Sequence, residues 1–206
     1  MNKRCVIVSA GDFFPSDYTP KPGDFIIAAD GGYTYLKNMG ITPSVCIGDF
    51  DSLGFAPADC PVIPLAVEKD CTDTDAALRI GLEEGCDTFL LLGMLGGSRL
   101  SHTVANLQTL TVLAKKHIPH KILGGGTTVC ALAKGDTLRF SNNESLHVSV
   151  LAITDTATVT IKGLHYEGEN ISLSNRFPLA VSNSTEGKDA LVRCENGMIW
   201  IITEEK

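Results

Sequence analysis

Six apolar runs of strand length alternate with helix-like segments across the first 125 residues, and after His117 only strand-like runs remain. That change of rhythm constrains the fold more than any other feature. The runs are RCVIVSA, DFIIAAD, SVCIGDF, CPVIPLA, TFLLLGML and HKILGG, rich in Val, Ile, Leu or Phe, as strands buried on both faces tend to be. YTYLKNMG ends at Gly40 with Pro43 beyond. TDTDAALRIGLEEG places Ala77, Leu78, Gly81 and Leu82 on one face, and SHTVANLQTLTVLAKKH closes in a basic last turn. Strands alternating with helices predict an α/β unit with a mainly parallel sheet flanked by helices.

The second half reads differently. TTVCALA, DTLRFS, LHVSVLAI, ATVTIKGL, ISLS, LAVSNS, ALVRCENG and MIWIIT are short, β-branched and separated by turn residues such as Asn142-Asn143 and Asn196-Gly197. They predict a C-terminal all-β sandwich or barrel. The expected boundary lies at Gly126, giving domains 1–126 and 127–206.

With 206 residues and 44% hydrophobic content there is ample material for a core. The net charge of −7 argues against a nucleic-acid or membrane-surface partner held by bulk positive charge. Seven cysteines occur without a Cys-x-x-Cys pair, so neither a zinc site nor a disulfide framework is indicated, and Cys5, Cys46, Cys130 and Cys194 read as core residues. No cleavage pattern follows MNKRCVIVSAG, and no apolar stretch approaches membrane-spanning length, so a cytoplasmic location is expected.

In open α/β sheets, ligands bind beyond the carboxyl ends of the strands, where this sequence concentrates its polar motifs. AADGG leaves its strand at Asp30, IGDFDSL at Asp49 and Asp51, and LLLGMLGGSR at Gly96-Gly97 before Arg99. KDCTDTDAAL opens a helix with Asp70, Asp73 and Asp75. Carboxylates gathered at one edge repel each other unless a hard cation sits among them, and Mg²⁺ takes oxygen ligands together with phosphates. A Mg²⁺-nucleotide site follows. Thr72 as a cap with Asp73 and Asp75 in the first turn, Asp75 above all, also suits an ordinary helix start, and Ser101 suits an N-cap ahead of HTVANL.

In their order, AADGG, IGDFDSL, KDCTDTDAAL, GGSRLSHTVANLQ, IKGLHY and VSN resemble the signatures of the thiamine pyrophosphokinase family through nearly the whole chain. The resemblance implies an α/β catalytic domain, a β domain contributing to thiamine binding, and a homodimer with active sites between subunits. The reaction it implies is ATP plus thiamine giving AMP plus thiamine diphosphate. Asp49, Asp51 and Asp73 resemble the Mg²⁺-associated acids and Asp30 a further acid of the site. Gly96, Gly97, Ser98, Arg99 and His102 resemble the ATP motif; Tyr166, Ser182 and Asn183 resemble the thiamine pocket. Asp30, Asp49 and Asp73 are equal candidates for the proton acceptor.

This chain departs from the family's Gly-Gly-Arg-x-Asp-His pattern by one extra residue, Ser98, and by Ser101 where Asp is expected. A haloacid-dehalogenase-like phosphatase also uses an Asp-x-Asp pair, but on its first strand and followed by Thr or Val, whereas here the pair follows the third apolar run and precedes Ser52. A non-catalytic thiamine or nucleotide sensor of the same fold is the other alternative.

Overall fold

The computed structural model describes residues 3–50, 54–66 and 70–206. The chain divides into two compact units, one of Met1–Thr109 with Pro119–Gly125, the other of Leu110–Ile118 with Gly126–Lys206.

The first unit is built on six parallel strands: β1 (Arg4–Val8), β2 (Phe25–Ala29), β3 (Val45–Gly48), β4 (Val62–Pro64), β5 (Thr88–Leu92) and β6 (His120–Gly124). Their spatial order is β6-β5-β1-β2-β3-β4, every pairing parallel. The connections carry α1 (Gly32–Asn38), α2 (Asp73–Glu83) and α3 (Leu100–Lys115). Four of five residues in β1, β2 and β5 and all four in β3 are buried, which explains their unbroken apolar sequences. Val6, Val8, Ile26, Ala28, Cys46, Leu90 and Leu92 share one cluster with Tyr33 and Leu36 of α1. The expected face of α2 is buried through Ala77, Leu78 and Gly81, while Leu82 is only partly covered. A two-pronged ion pair, Arg4 Nε to Asp24 Oδ1 at 2.8 Å and Arg4 Nη2 to Asp24 Oδ2 at 2.6 Å, ties the start of β1 to that of β2.

The second unit contains two antiparallel sheets of four strands. One has the order β12 (Ala180–Ser184), β9 (Leu146–Ala152), β14 (Met198–Glu205), β7 (Thr127–Ala133). The other runs β11 (Gly168–Ser174), β10 (Thr156–Lys162), β13 (Ala190–Asn196), β8 (Thr137–Phe140). Alternate residues of both point into one core, including Val148 and Val150 of β9, Val159 and Ile161 of β10, Val192 and Cys194 of β13, and Ile199 and Ile201 of β14. This is the expected sandwich.

Burial pushes the thiols of Cys5, Cys46, Cys130 and Cys194 up, Cys130 to about 12 and Cys194 to about 11. Such protonated thiols behave as small apolar residues, as their sequence settings suggest. Among the described residues, no helix is long and apolar enough to cross a membrane.

Candidate active site

Chain order in the parallel sheet reverses between β1 and β5, because the chain runs outward from β1 to β4 and then returns to β1's other side with β5. A ligand crevice is expected beyond the carboxyl ends at such a point. A cavity of about 400 Å³ lies there, lined by the exits of β1, β2, β3 and β5 and by the first turns of α2 and α3.

Three acids reach this cavity by different local devices. Asp30 leaves β2 in a left-handed conformation, φ 48°, with its N–H donating to Ile47 O at 2.8 Å. Gly48, at φ 147°, lies against it; a Cβ there would stand 3.3 Å from Asp30 Cα, so glycine lets the two strand exits approach. Asp49 follows directly. Phe50 then adopts φ 58°, an unusual conformation for a bulky residue, while its ring is only 8% exposed and belongs to the core cluster. The aromatic between the two acids is thus an anchor that holds the β3 exit in place. Asp73 opens α2, which is capped by Thr72: its Oγ1 accepts the Asp75 N–H at 3.1 Å.

Asp75 pairs with Arg79 at 2.9 Å across one helical turn and does not line the cavity, which bears out its capping-turn role. Asp70 is exposed and also outside the lining. Asp51 lies outside the described residues. Among the described residues, no three metal-binding side chains form a cluster. Asp49 and Asp73, which share the cavity, are hard oxygen donors of the type Mg²⁺ takes.

The same cavity is lined by Gly96, Gly97, Ser98, Arg99 and His102. Gly96 and Gly97 both have positive φ, 66° and 78°. The α3 helix begins at Leu100, so Ser101 stands within the first turn and Arg99 occupies the position before it; the His102 N–H donates to Arg99 O at 3.0 Å. The expected Ser101 cap is corrected accordingly: the helix already begins at Leu100, one residue before Ser101.

The β1 exit and several buried polar groups escaped sequence reasoning. Ser9 Oγ and Thr74 Oγ1, both buried, lie 3.1 Å apart and link β1's end to the first turn of α2, beside Asp73. Thr103 and the buried Asn106 also line the cavity. A detectable signal was present in SAG at residues 9–11, three small residues at a strand exit. Asn106 gave another, being an amide among the apolar positions of an amphipathic helix.

The other three candidates lie in the second unit. Tyr166 is 68% exposed, and its backbone is bracketed by Asn183: Asn183 Oδ1 accepts the Tyr166 N–H at 2.9 Å, and Asn183 Nδ2 donates to Tyr166 O at 2.8 Å. Asn183 itself is 3% exposed. Ser182, φ 60°, is exposed and donates its N–H to Ser149 Oγ at 3.1 Å.

Residues 19–122 match the family model described as thiamin pyrophosphokinase, catalytic domain. Thiamine pyrophosphokinase of Bacillus subtilis (strain 168) is 28% identical over 167 residues, 76% of each chain. A crystal structure of thiamine pyrophosphokinase from Bacillus subtilis superposes with a TM-score of 0.86 at 24% identity, covering 99% of this chain and 100% of that one. That of thiamin pyrophosphokinase from Geobacillus thermodenitrificans gives 0.81 at 25% identity, covering 98% of both.

Proposed function

Because the chain belongs to the thiamine pyrophosphokinase family, as the match over residues 19–122 establishes, we propose that it transfers the terminal pyrophosphate of ATP to the hydroxyl of thiamine, giving thiamine diphosphate and AMP. The observation that supports this most directly is the meeting of Asp30, Asp49 and Asp73 with Arg99 in one cavity at the sheet's reversal point.

In this reading residues 1–126 form the ATP-binding catalytic domain and 127–206 contribute to thiamine binding. Gly96, Gly97, Ser98, Arg99 and His102 bind the phosphates, Arg99 through the planar fork that suits phosphate oxygens. Asp49 and Asp73, with Asp51, would hold Mg²⁺, which when bound would neutralise phosphate charge. The thiamine hydroxyl oxygen forms a bond to the β-phosphorus, and the bond between that phosphorus and the α,β-bridging oxygen breaks to release AMP. The hydroxyl proton passes to a pocket carboxylate, Asp30, Asp49 or Asp73. A weak base suffices because positioning and charge neutralisation supply most of the catalysis in such transfers.

Tyr166, Ser182 and Asn183 are the residues we assign to thiamine, with the Tyr166 ring facing the thiazolium cation. The protein acts as a cytoplasmic homodimer with active sites between subunits. The exposed Tyr166, Phe177, Leu179 and Val181 support a partner-covered surface in this part of the second unit. Tyr166→Ala is expected to weaken thiamine binding about three- to thirtyfold, the loss of a cation–π contact, with ATP binding unchanged. Calorimetric titration of each ligand checks this, and equal losses for both would refute the division of labour.

The reaction is tested by incubating the protein with Mg²⁺, ATP and thiamine and separating the products. AMP and thiamine diphosphate are expected in equal amounts. ADP with thiamine monophosphate would mean attack at the γ-phosphorus. Phosphate release without thiamine would restore the phosphatase alternative, and ligand binding without any product would restore the sensor.

A further inference from the structure

The turn between β5 and α3 has four consecutive carbonyl groups, and each is engaged by a donor from a neighbouring element. Gly93 O accepts the Gly11 N–H at 2.7 Å, and Leu95 O accepts the Asp12 N–H at 2.9 Å. Both of those donors belong to the β1 exit. Met94 O accepts Asn106 Nδ2 at 2.9 Å, and Gly96 O accepts Thr103 Oγ1 at 3.1 Å. Both of these come from α3, three residues apart and so on one helical face.

Phosphate carries negative charge, so a carbonyl oxygen turned toward it repels, whereas a peptide N–H attracts. In a trans peptide the C=O and the following N–H point in opposite directions, and the described residues contain no cis peptide. Holding the Gly96 carbonyl against Thr103 therefore turns the Gly97 N–H away from Thr103, and holding the Met94 carbonyl against Asn106 does the same for the Leu95 N–H. Gly96 and Gly97, both at positive φ, have no Cβ to confine them, so the peptide between them is easy to reorient. Without the Thr103 bond, the Gly96–Gly97 peptide plane can rotate and present its oxygen to the cavity, and without the Asn106 bond the Met94 carbonyl beside the cavity loses its donor.

We infer that Thr103 and Asn106 are positioning residues that keep the carbonyl oxygens of the β5–α3 turn away from the nucleotide's phosphates, making the glycine turn an anion acceptor. Neither residue needs to touch the nucleotide for this effect. The inference rests on the reading that the cavity binds ATP phosphates. It assigns to α3 a task distinct from that of Arg99 and His102, which present their own side chains.

The test is calorimetric binding of Mg²⁺ and α,β-methylene-ATP, an analogue whose α,β bridge cannot be broken, to wild type, Thr103→Val, Thr103→Ser and Asn106→Asp. Thr103→Val keeps the side-chain shape but removes the hydroxyl, and Thr103→Ser restores it. Asn106→Asp replaces the donor with an oxygen that repels Met94 O. Analogue affinity should fall about three- to tenfold in Thr103→Val and Asn106→Asp, the effect of one lost hydrogen bond, and stay within about twofold of wild type in Thr103→Ser. Thiamine affinity should hold in all of them, a split that a merely structural role would not produce. Unchanged analogue affinity in Thr103→Val, or an equal fall in Thr103→Ser, would overturn the inference; this pair decides even where Asn106→Asp fails to fold. Wild type that binds the analogue but yields no thiamine diphosphate overturns the proposed reaction and leaves the clamp standing. Wild type that does not bind the analogue overturns both.

Discussion

Replacing Asp49 by Asn is expected to lower the turnover number at least about a hundredfold while leaving the fold intact, the scale of loss seen when one preorganised charge-stabilising group is removed. The side chain sits at a strand exit and lines the cavity, with one neighbour, Phe50, buried in the core and the other, Gly48, closing the strand. Asp30 and Asp73 line the same cavity, and in the proposed reading Mg²⁺ would be held by Asp49 and Asp73. Added Mg²⁺ should raise the wild-type melting midpoint more than that of the variant. The same pattern is expected for Asp73→Asn. Steady-state kinetics with thermal melts at varied Mg²⁺ reads both effects. Wild-type turnover by Asp49→Asn would remove the assignment, and a collapsed melting temperature would make the residue structural.

Gly93→Ala should be severely destabilising for the first unit. Gly93 has φ 62°, and an added Cβ would fall 2.2 Å from Ser9 O, a backbone atom of β1's exit that cannot move without shifting the strand. The left-handed conformation and the overpacking together cost on the order of 3 kcal/mol, about 10 °C in the thermal midpoint. Gly23→Ala separates the two causes, since Gly23 has φ 87° but no atom within 4 Å of the added Cβ. Circular dichroism melts should show a much larger loss at Gly93. Equal losses at the two positions would mean that the close approach of β1 and β5 plays no part.

Most of the architecture was legible because each signal is local. The apolar runs of β1, β2, β3 and β5 need no tertiary information to be read as doubly buried strands, and Thr72-Asp73-Thr74-Asp75 states its own helix start. The site was legible where its residues end strands, as Asp30 and Asp49 do. What could not be read depends on distant partners. Ser9 and Thr74 are 65 positions apart and gain significance only through their 3.1 Å contact. Thr103 and Asn106 act on carbonyl groups, which carry no residue identity at all. Phe50 could be read as an aromatic beside acids, but its role as a core anchor depends on φ 58° and on the cluster it enters. Ser101 was misplaced because helix starts are set by backbone geometry as well as by capping preference.

The cavity's lining extends from Ser9 to Asn106, taking pieces from the exits of four parallel strands. During synthesis, the cavity cannot exist until residue 106 has left the ribosome and β5 has docked beside β1. Parallel pairing of this kind closes long chain loops before any contact repays them, so the pocket belongs to the late, slow part of folding. Once formed, it cannot be opened by fraying one strand without losing a wall. Any ligand bound there would therefore stabilise the α/β unit as a single cooperative body, adding its binding free energy to the work needed to unfold any part of it.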